Sequence, residues 1–291
     1  MASLKEIKGR INSVKNTLKI TSAMKMVASA KLHRAQTAIE GMLPYSEKLT
    51  GIINHLLNHS EQGLSSPFIG ERPVERVAIV AISSSSSLCG GYNANVIRLA
   101  EKTLEEYAAL GRDNLTLIPI GRKMVQAFAQ TDVCHVEDSY ALIGEKNRYD
   151  EASGLAGHLM KMYLNHEVDR IELLYTHYKN MAVQVLMRED FLPIEINSTD
   201  RKPQEEENID YLIEPTIGQL SDLLIPKALS MRMFSVLLDA SAAEHAARTF
   251  AMQQATDNGD SLLQELNLAY NKGRQQAITN ELLDIVSGQR K

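Results

Sequence analysis

The sequence predicts an α/β protein: an antiparallel coiled coil of long N- and C-terminal helices plus a central Rossmann-like α/β domain. Three observations predict it. Apolar residues near the start recur at spacings of three and four, short apolar runs alternate with helical patterns in the middle, and a second helical pattern of roughly 70 residues closes the chain.

Ser3 and Glu6 form an S-x-x-E capping box, after which Leu4, Ile7, Ile11, Val14 and Leu18 make a heptad seam. Beyond Leu18 the seam reads as irregular, through Met24, Val27, Ala28, Leu32, Ala35 and Ile39. Small residues replace branched ones there, which predicts a close-approaching or moving contact. The first proline is Pro44, and the pattern resumes through Leu49, Ile52, Ile53, Leu56 and Leu57. Residues 1–60 are therefore expected as one helix, with Pro44 as the place where it can bend, over roughly 55 residues or about 80 Å.

The run GLSSPFIGERP (63–73) reads as a linker from its Gly, Ser and Pro content. Residues 74–200 follow as a compact α/β foot domain. Strands are expected at 74–83, 115–120 and 170–178, with helices at 94–110, 123–130 and 149–165, and 182–193 as an antiparallel edge partner. RKPQEEEN (201–208) is a polar loop. The last segment, 209–288, opens on Pro215 and the T-x-x-Q box of Thr216 and Gln219 and runs as one long helix through Leu220, Leu223, Leu224, Met231, Phe234, Leu237, Leu238, Phe250, Leu262, Leu266, Ala269, Ile278, Leu282 and Ile285, with Gly288 as its stop. Pro226 is expected to kink it, and Thr256-Asp257-Asn258-Gly259-Asp260 has the local propensity of a turn. Because the periodicity resumes on both sides, the helix is expected to continue through both.

Two long amphipathic helices at opposite ends of a chain bury their stripes most simply against each other, antiparallel. The C-terminal helix outruns its partner by about 20 Å of unmatched length. Its tip, ITNELLDIVSG (278–288), is apolar, which predicts a socket in another protein; the alternative is a tip folded back onto the foot.

Composition narrows the function classes. With 31 basic and 36 acidic residues the net charge is −5, which gives no case for nucleic acid. The distribution says more, since residues 1–35 carry eight cations against the single acid Glu6. That imbalance implies an acidic surround. Cys89 and Cys134 sit in no CxxC or His-paired spacing, so a reducing compartment is expected. The N-terminus has no signal or transit pattern, so membrane association is expected through partners alone. Aromatic content of 5% without Trp suits long helices whose cores are Leu, Ile, Met and Ala.

The segments SLKEIKGRINSVKNTLKITSAMKMVASAKLHRAQ and AARTFAMQQATDNGDSLLQELNLAYNKGRQQAITNELLDIVSG together closely resemble the gamma subunit of F-type ATP synthases. The resemblance runs through the chain in order, with LCGGYN (88–93) and YLIEP (211–215) as further family-like segments. One departure is plain: Ser85, Ser86 and Ser87 stand where the family usually carries Asp-Arg-Gly. The resemblance implies a central rotor shaft inside a hexamer of alpha and beta subunits, its foot resting with an epsilon subunit on the membrane c-ring, at the cytoplasmic face of a bacterial membrane. Proton flow would turn ring and shaft, and catalysis would lie on beta. It implies no cofactor or metal for this chain. By motif, Arg274 and Gln275 match a polar contact to a loop of beta, with Lys272 and Thr279 beside them; an Arg fork suits a carboxylate-bearing loop. Met24 and Lys25 match the neck facing an acidic segment of beta, with Arg248 on the opposing helix. Tyr211 and Glu214 match positions near the c-ring loops. For each the bland reading stays open: a solvated face for the charges, core filling for Met24, helix capping for Glu214.

Two other classes are weighed. A nucleotide-binding enzyme with a helical oligomerisation arm would use SSSSSLCGGYN after the first strand, but that loop lacks both GxGxxG and GK[ST]. A static coiled-coil scaffold would share the helices but not turn. His55 and His59, one turn apart, complete no HExxH, and no serine sits in GxSxG.

Overall fold

The computed structural model describes residues 3–59, 66–70, 72–194 and 216–288. In chain order the principal elements are α1 (Leu4–His59), β1 (Val77–Ile82), α2 (Tyr92–Glu106), β2 (Leu115–Ile120), α3 (Arg122–Phe128), β3 (His135–Val136), α4 (Tyr149–Leu164), β4 (Arg170–Tyr178), β5 (Gln184–Leu192) and α5 (Ile217–Gly288). Two compact units result: Lys31–Ala247, and the chain ends up to Ala30 and from Arg248 onward.

The Lys31–Ala247 unit is built on a five-stranded sheet in the order β3-β2-β1-β4-β5. Its pairs are parallel except β4 with β5, the antiparallel edge partner the sequence predicts. The unbroken apolar run VAIVAI follows from burial on both faces. Ala78, Val80 and Ile82 face α4 and α5, packing with Leu155, Leu159, Leu229 and Met233, while Val77, Ile79 and Ala81 face α2 and α3, packing with Val96, Leu104, Met124 and Phe128. The first half of α5 thus serves as a layer of the α/β sandwich, through Ile225, Leu229, Met233, Val236 and Leu237. Pairing of the terminal helices is only part of what α5 does. Within the same unit α1 meets α5 where Leu32 and Ala35 pack with Ala242 and Ala246.

The expected linker is partly core. Phe68 is buried with the α4 and α5 face, Ile69 bridges Ile194, and Ser66 is buried too; Ser and Pro neighbours hid an anchoring aromatic. The short strand β3 escaped sequence reading because two residues carry no periodicity.

Two buried carboxylates organise the sheet. Asp169 accepts the backbone N–H groups of Glu75 and Arg76 at 3.2 and 3.0 Å and lies 3.2 Å from Arg72 Nε, whose guanidinium stacks 3.9 Å from the centre of the Tyr163 ring. This fixes the chain's entry into β1. Glu172 accepts from Tyr107 Oη at 2.6 Å and Arg188 Nε at 2.8 Å, with Arg170 Nε at 3.3 Å. Burial, and next the Glu172 carboxylate, push the Tyr107 hydroxyl above its ordinary pKa. Both cysteines are buried, and burial pushes the Cys134 thiol up to about 11.

In the unit of chain ends, α1 and α5 pair antiparallel. Leu4 meets Gly273, Leu18 meets Gly259, and Thr21 Oγ1 lies 3.0 Å from Thr256 Oγ1. The seam on α1 is regular where the sequence suggested otherwise: Leu4, Ile7, Ile11, Val14, Leu18, Thr21, Lys25 and Ala28 all turn inward, fully or in part, and Val27 stays outside at 58% exposure. Polar residues at two seam positions concealed the repeat. On α5 the inward residues are Thr256, Gly259, Leu263, Leu266, Tyr270, Gly273 and Ala277, whereas Leu262, Ala269 and Ile278 point to solvent. The expected stripe was thus out by one residue at those positions. The helix runs without a break through Thr256–Asp260, and Ser3 and Thr216 cap α1 and α5 as their boxes predict, accepting from Glu6 N and Gln219 N.

Candidate partner-binding surface

The distal stretch of α5 sorts its residues by helical position. Gly273 and Ala277 turn toward α1, which leaves Lys272, Arg274, Gln275 and Thr279 exposed. Among the described residues Arg274 and Lys272 make no ion pair, so their charges are open to an outside acceptor. Thr279 Oγ1 donates to the Gln275 carbonyl at 2.9 Å, a back-bond that occupies its proton and leaves oxygen lone pairs outward. Beyond them Ile278, Leu282, Leu283 and Ile285 are 45%, 57%, 61% and 60% exposed. Among the described residues these apolar side chains of the tip are uncovered.

The neck residues divide differently. Met24 is half-buried beside the seam, and Lys25 Nζ donates to Gln253 Oε1 across it at 2.7 Å. Gln253 Nε2 in turn donates to Asp257 Oδ1 at 2.8 Å. Arg248 is buried. Lys25 and Arg248 are therefore engaged in this chain rather than presented as free surface charges. Sequence reasoning passed over Ile20 and Met26 and set Val27 and Phe250 in the inward stripes, yet all four are large, apolar and exposed. The register that sets Thr21 beside Thr256 brings Phe250 level with Val27. The signal was available, since several apolar residues grouped outside a correctly placed heptad mark a surface of their own. Tyr211 and Glu214 lie outside the described residues, as do the side chains of His55 and His59.

The serine-rich loop after β1 is held from within. Ser84 N donates to Asn93 Oδ1 at 3.0 Å, and Asn93 Nδ2 donates to the Ser86 carbonyl at 3.3 Å. The carboxyl end of β1 is where a doubly wound sheet would hold a ligand. Here Cys89 and Tyr92 pack against Ala243 and Ala247 of α5, and Tyr92 Oη donates to the Ala240 carbonyl at 3.1 Å. Side chains fill that place.

Fold and surface together define a mixed α/β protein whose paired terminal helices expose apolar and basic groups. A family model described as ATP synthase matches residues 3–290. The chain is 52% identical over 288 residues to the ATP synthase gamma chain of Phocaeicola vulgatus and 53% identical over 289 residues to that of Bacteroides fragilis, covering 99% of both sequences in each case. Its fold is similar to a chain of the Euglena gracilis mitochondrial ATP synthase assembly of OSCP, F1 and c-ring (TM-score 0.63, 20% identity, 99% of this chain and 93% of that one). It is similar as well to a chain of the central stalk and c-ring assembly of the Tetrahymena thermophila mitochondrial ATP synthase (TM-score 0.56, 19% identity, 81% and 99%). The chain belongs to the ATP synthase gamma chain family.

Proposed function

We infer that this chain is the central-stalk rotor subunit of an F-type ATP synthase, coupling proton flow through the membrane c-ring to ATP synthesis or hydrolysis at the beta subunits by rotation. The identity of more than half its residues with gamma chains over nearly the whole length carries the reading. The paired helices supply a body stiff enough to be turned, and the basic start of α1 and the bare tip of α5 supply surfaces that an enclosing ring would hold. Its partners are the alpha and beta subunits, the epsilon subunit and the c-ring. The complex is membrane-associated, and no helix among the described residues is long and apolar enough to cross a membrane. Attachment is then peripheral, through partners, at the cytoplasmic face of the bacterial inner membrane. Catalysis belongs to beta, and this chain contributes movement. In this division residues 1–60 and 209–288 supply the shaft helices and 74–200 the foot, with the first half of α5 doubling as a layer of the foot's core.

Contacts follow from the exposed groups. Arg274, with Lys272, Gln275 and Thr279, meets a carboxylate-bearing loop of beta. Met24 meets the acidic segment at the neck, where Lys25 and Arg248 act by shaping the helix pair beneath it. Tyr211 and Glu214 meet the c-ring side. The nucleotide-binding alternative loses ground to the filled place at the carboxyl end of β1.

The test is co-purification with alpha and beta subunits, expected in a ratio of one to three to three, followed by a disulfide from Met24→Cys to beta. That crosslink should stop ATP turnover and reduction should restore it. A chain that stays monomeric beside assembled alpha and beta, or turnover that continues with the neck locked, would refute the rotor reading; saturable nucleotide binding by the chain alone would favour the enzyme.

A further inference from the structure

We propose that α1 and α5 carry a register code, two leucine-on-glycine sockets and two polar pairs, which admits one axial alignment and so sets how far α5 reaches beyond the start of α1. The functional weight of that reach rests on the rotor reading; the code itself does not.

A methyl group placed on Gly259 would lie 2.7 Å from Leu18 Cδ2 and 3.2 Å from its Cγ, and one on Gly273 would lie 3.2 Å from Leu4 Cδ2. Both glycines sit inside a continuous helix. Glycine is among the poorest helix formers, so its use at two seam positions calls for a reason beyond local conformation. Space for a facing leucine supplies it. Leu4 and Leu18 are 14 residues apart, and Gly259 and Gly273 are also 14 apart, two heptads on each helix in opposite directions. The sockets are thus matched in spacing as well as in size.

Between the sockets and Ala30 lie the polar pairs. Thr21 and Thr256 share a hydrogen bond of 3.0 Å, and Lys25 Nζ donates to Gln253 Oε1 at 2.7 Å. A polar group at a seam position is tolerated best opposite another polar group, and this is how single polar residues select alignment in coiled coils.

Sliding by one heptad breaks all four pairings, although one of the two slides sets Thr21 against Thr249. In one sense Leu18 would face Leu266 and Thr21 would face Leu263; in the other, Leu18 would face Met252 and Leu4 would face Leu266. Large meets large at the displaced leucines, and in each sense one glycine is left without an apolar partner while the other faces the β-branched Ile11, a shape unlike the leucine it now holds. The slide would also move the tip residues Ile278–Ile285 by about 10 Å along the axis.

The test uses the full chain without partners, so its outcome is independent of whether the chain turns in a synthase. Val14→Cys is combined with Leu263→Cys, the in-register pair, or with Tyr270→Cys, the pair one heptad off. In the otherwise unchanged chain only the first should close under mild oxidation. In a chain also carrying Gly259→Leu, Gly273→Leu, Thr21→Leu and Thr256→Leu, both should close, with the shifted disulfide rising at least tenfold. A recoded chain that closes only the in-register pair overturns the proposal. Should that chain fail to fold, the milder cycle decides: Gly259→Ala should lower Tm in the natural background and leave it unchanged or higher in Leu18→Ala, and equal losses in both backgrounds overturn the socket.

Discussion

Glu172 keeps a carboxylate inside the sheet because donors from three elements converge on it: Tyr107 just past the end of α2, Arg170 beside it in β4, and Arg188 in β5. Its side chain is 1% exposed, whereas both arginine side chains keep 34% of their surface. The desolvation cost therefore falls mainly on the acid, and the arginines can turn back to water if it is removed. Glu172→Ala is expected to cost about 3 kcal/mol, the low end for a broken buried pair, with Tyr107 losing its acceptor at the same time. Urea unfolding of the variant measures this; a loss under about 0.5 kcal/mol would mean the network is a surface one. None of these partners was legible beforehand. RIELLYTHY announces a strand clearly, but which cation reaches across to its one acid depends on strand order and register, which no local pattern encodes.

At the scale of elements, α5 shows what periodicity reveals and what it hides. Its existence and extent were readable in advance, including its passage through Thr256–Asp260, because apolar spacing on both sides outweighs five residues of turn propensity. Its division of labour was not. The same helical repeat describes a stripe facing a sheet and a stripe facing another helix, so Ile225–Ala240 and Leu263–Ala277 look alike in sequence. On α1 the opposite happened: Thr21 and Lys25 broke an apolar pattern whose geometry is unbroken. Pro226 gives a test. The helix continues past it, with Ser230 Oγ donating to its carbonyl at 2.9 Å. The ring removes one backbone donor and crowds the preceding turn, effects worth about 3 kcal/mol in a helix interior that has not adapted. It also restricts the unfolded chain, which offsets part of that cost. Pro226→Ala is accordingly expected to raise stability by about 1 kcal/mol, read as a higher urea midpoint at unchanged slope. A lower midpoint would show that the proline's fixed conformation is needed where α5 meets the sheet face.

For the molecule as a whole, the apolar residues that build the core and those left bare on the terminal helices are different sets. The core holds Leu155, Met233 and their neighbours, with further burial along the α1 and α5 seam. Past Ala277 the described side chains of α5 are all exposed, Leu282, Leu283 and Ile285 among them. Apolar surface contributes about 25 cal/mol per Å² only when it leaves water, so these residues contribute almost nothing to folding of the isolated chain and contribute fully once a partner covers them. Ending the chain after Ala277 should thus leave the urea midpoint of the isolated protein unchanged, within about 0.5 kcal/mol. The same truncation should weaken retention by the alpha and beta ring. Burial of three such side chains at about 1.5–3 kcal/mol each sets the gross gain, and ordering costs reduce what is seen, so a loss of at least a hundredfold in affinity is expected. Arg274→Ala on the full-length chain isolates the polar share, with a smaller loss that added salt reproduces in the unchanged protein. If truncation instead lowers the midpoint of the isolated chain, the tip is packed within its own molecule; if affinity survives truncation, the holding surface lies elsewhere, at Ile20, Met26, Val27 and Phe250, where the same pair of measurements can then be made.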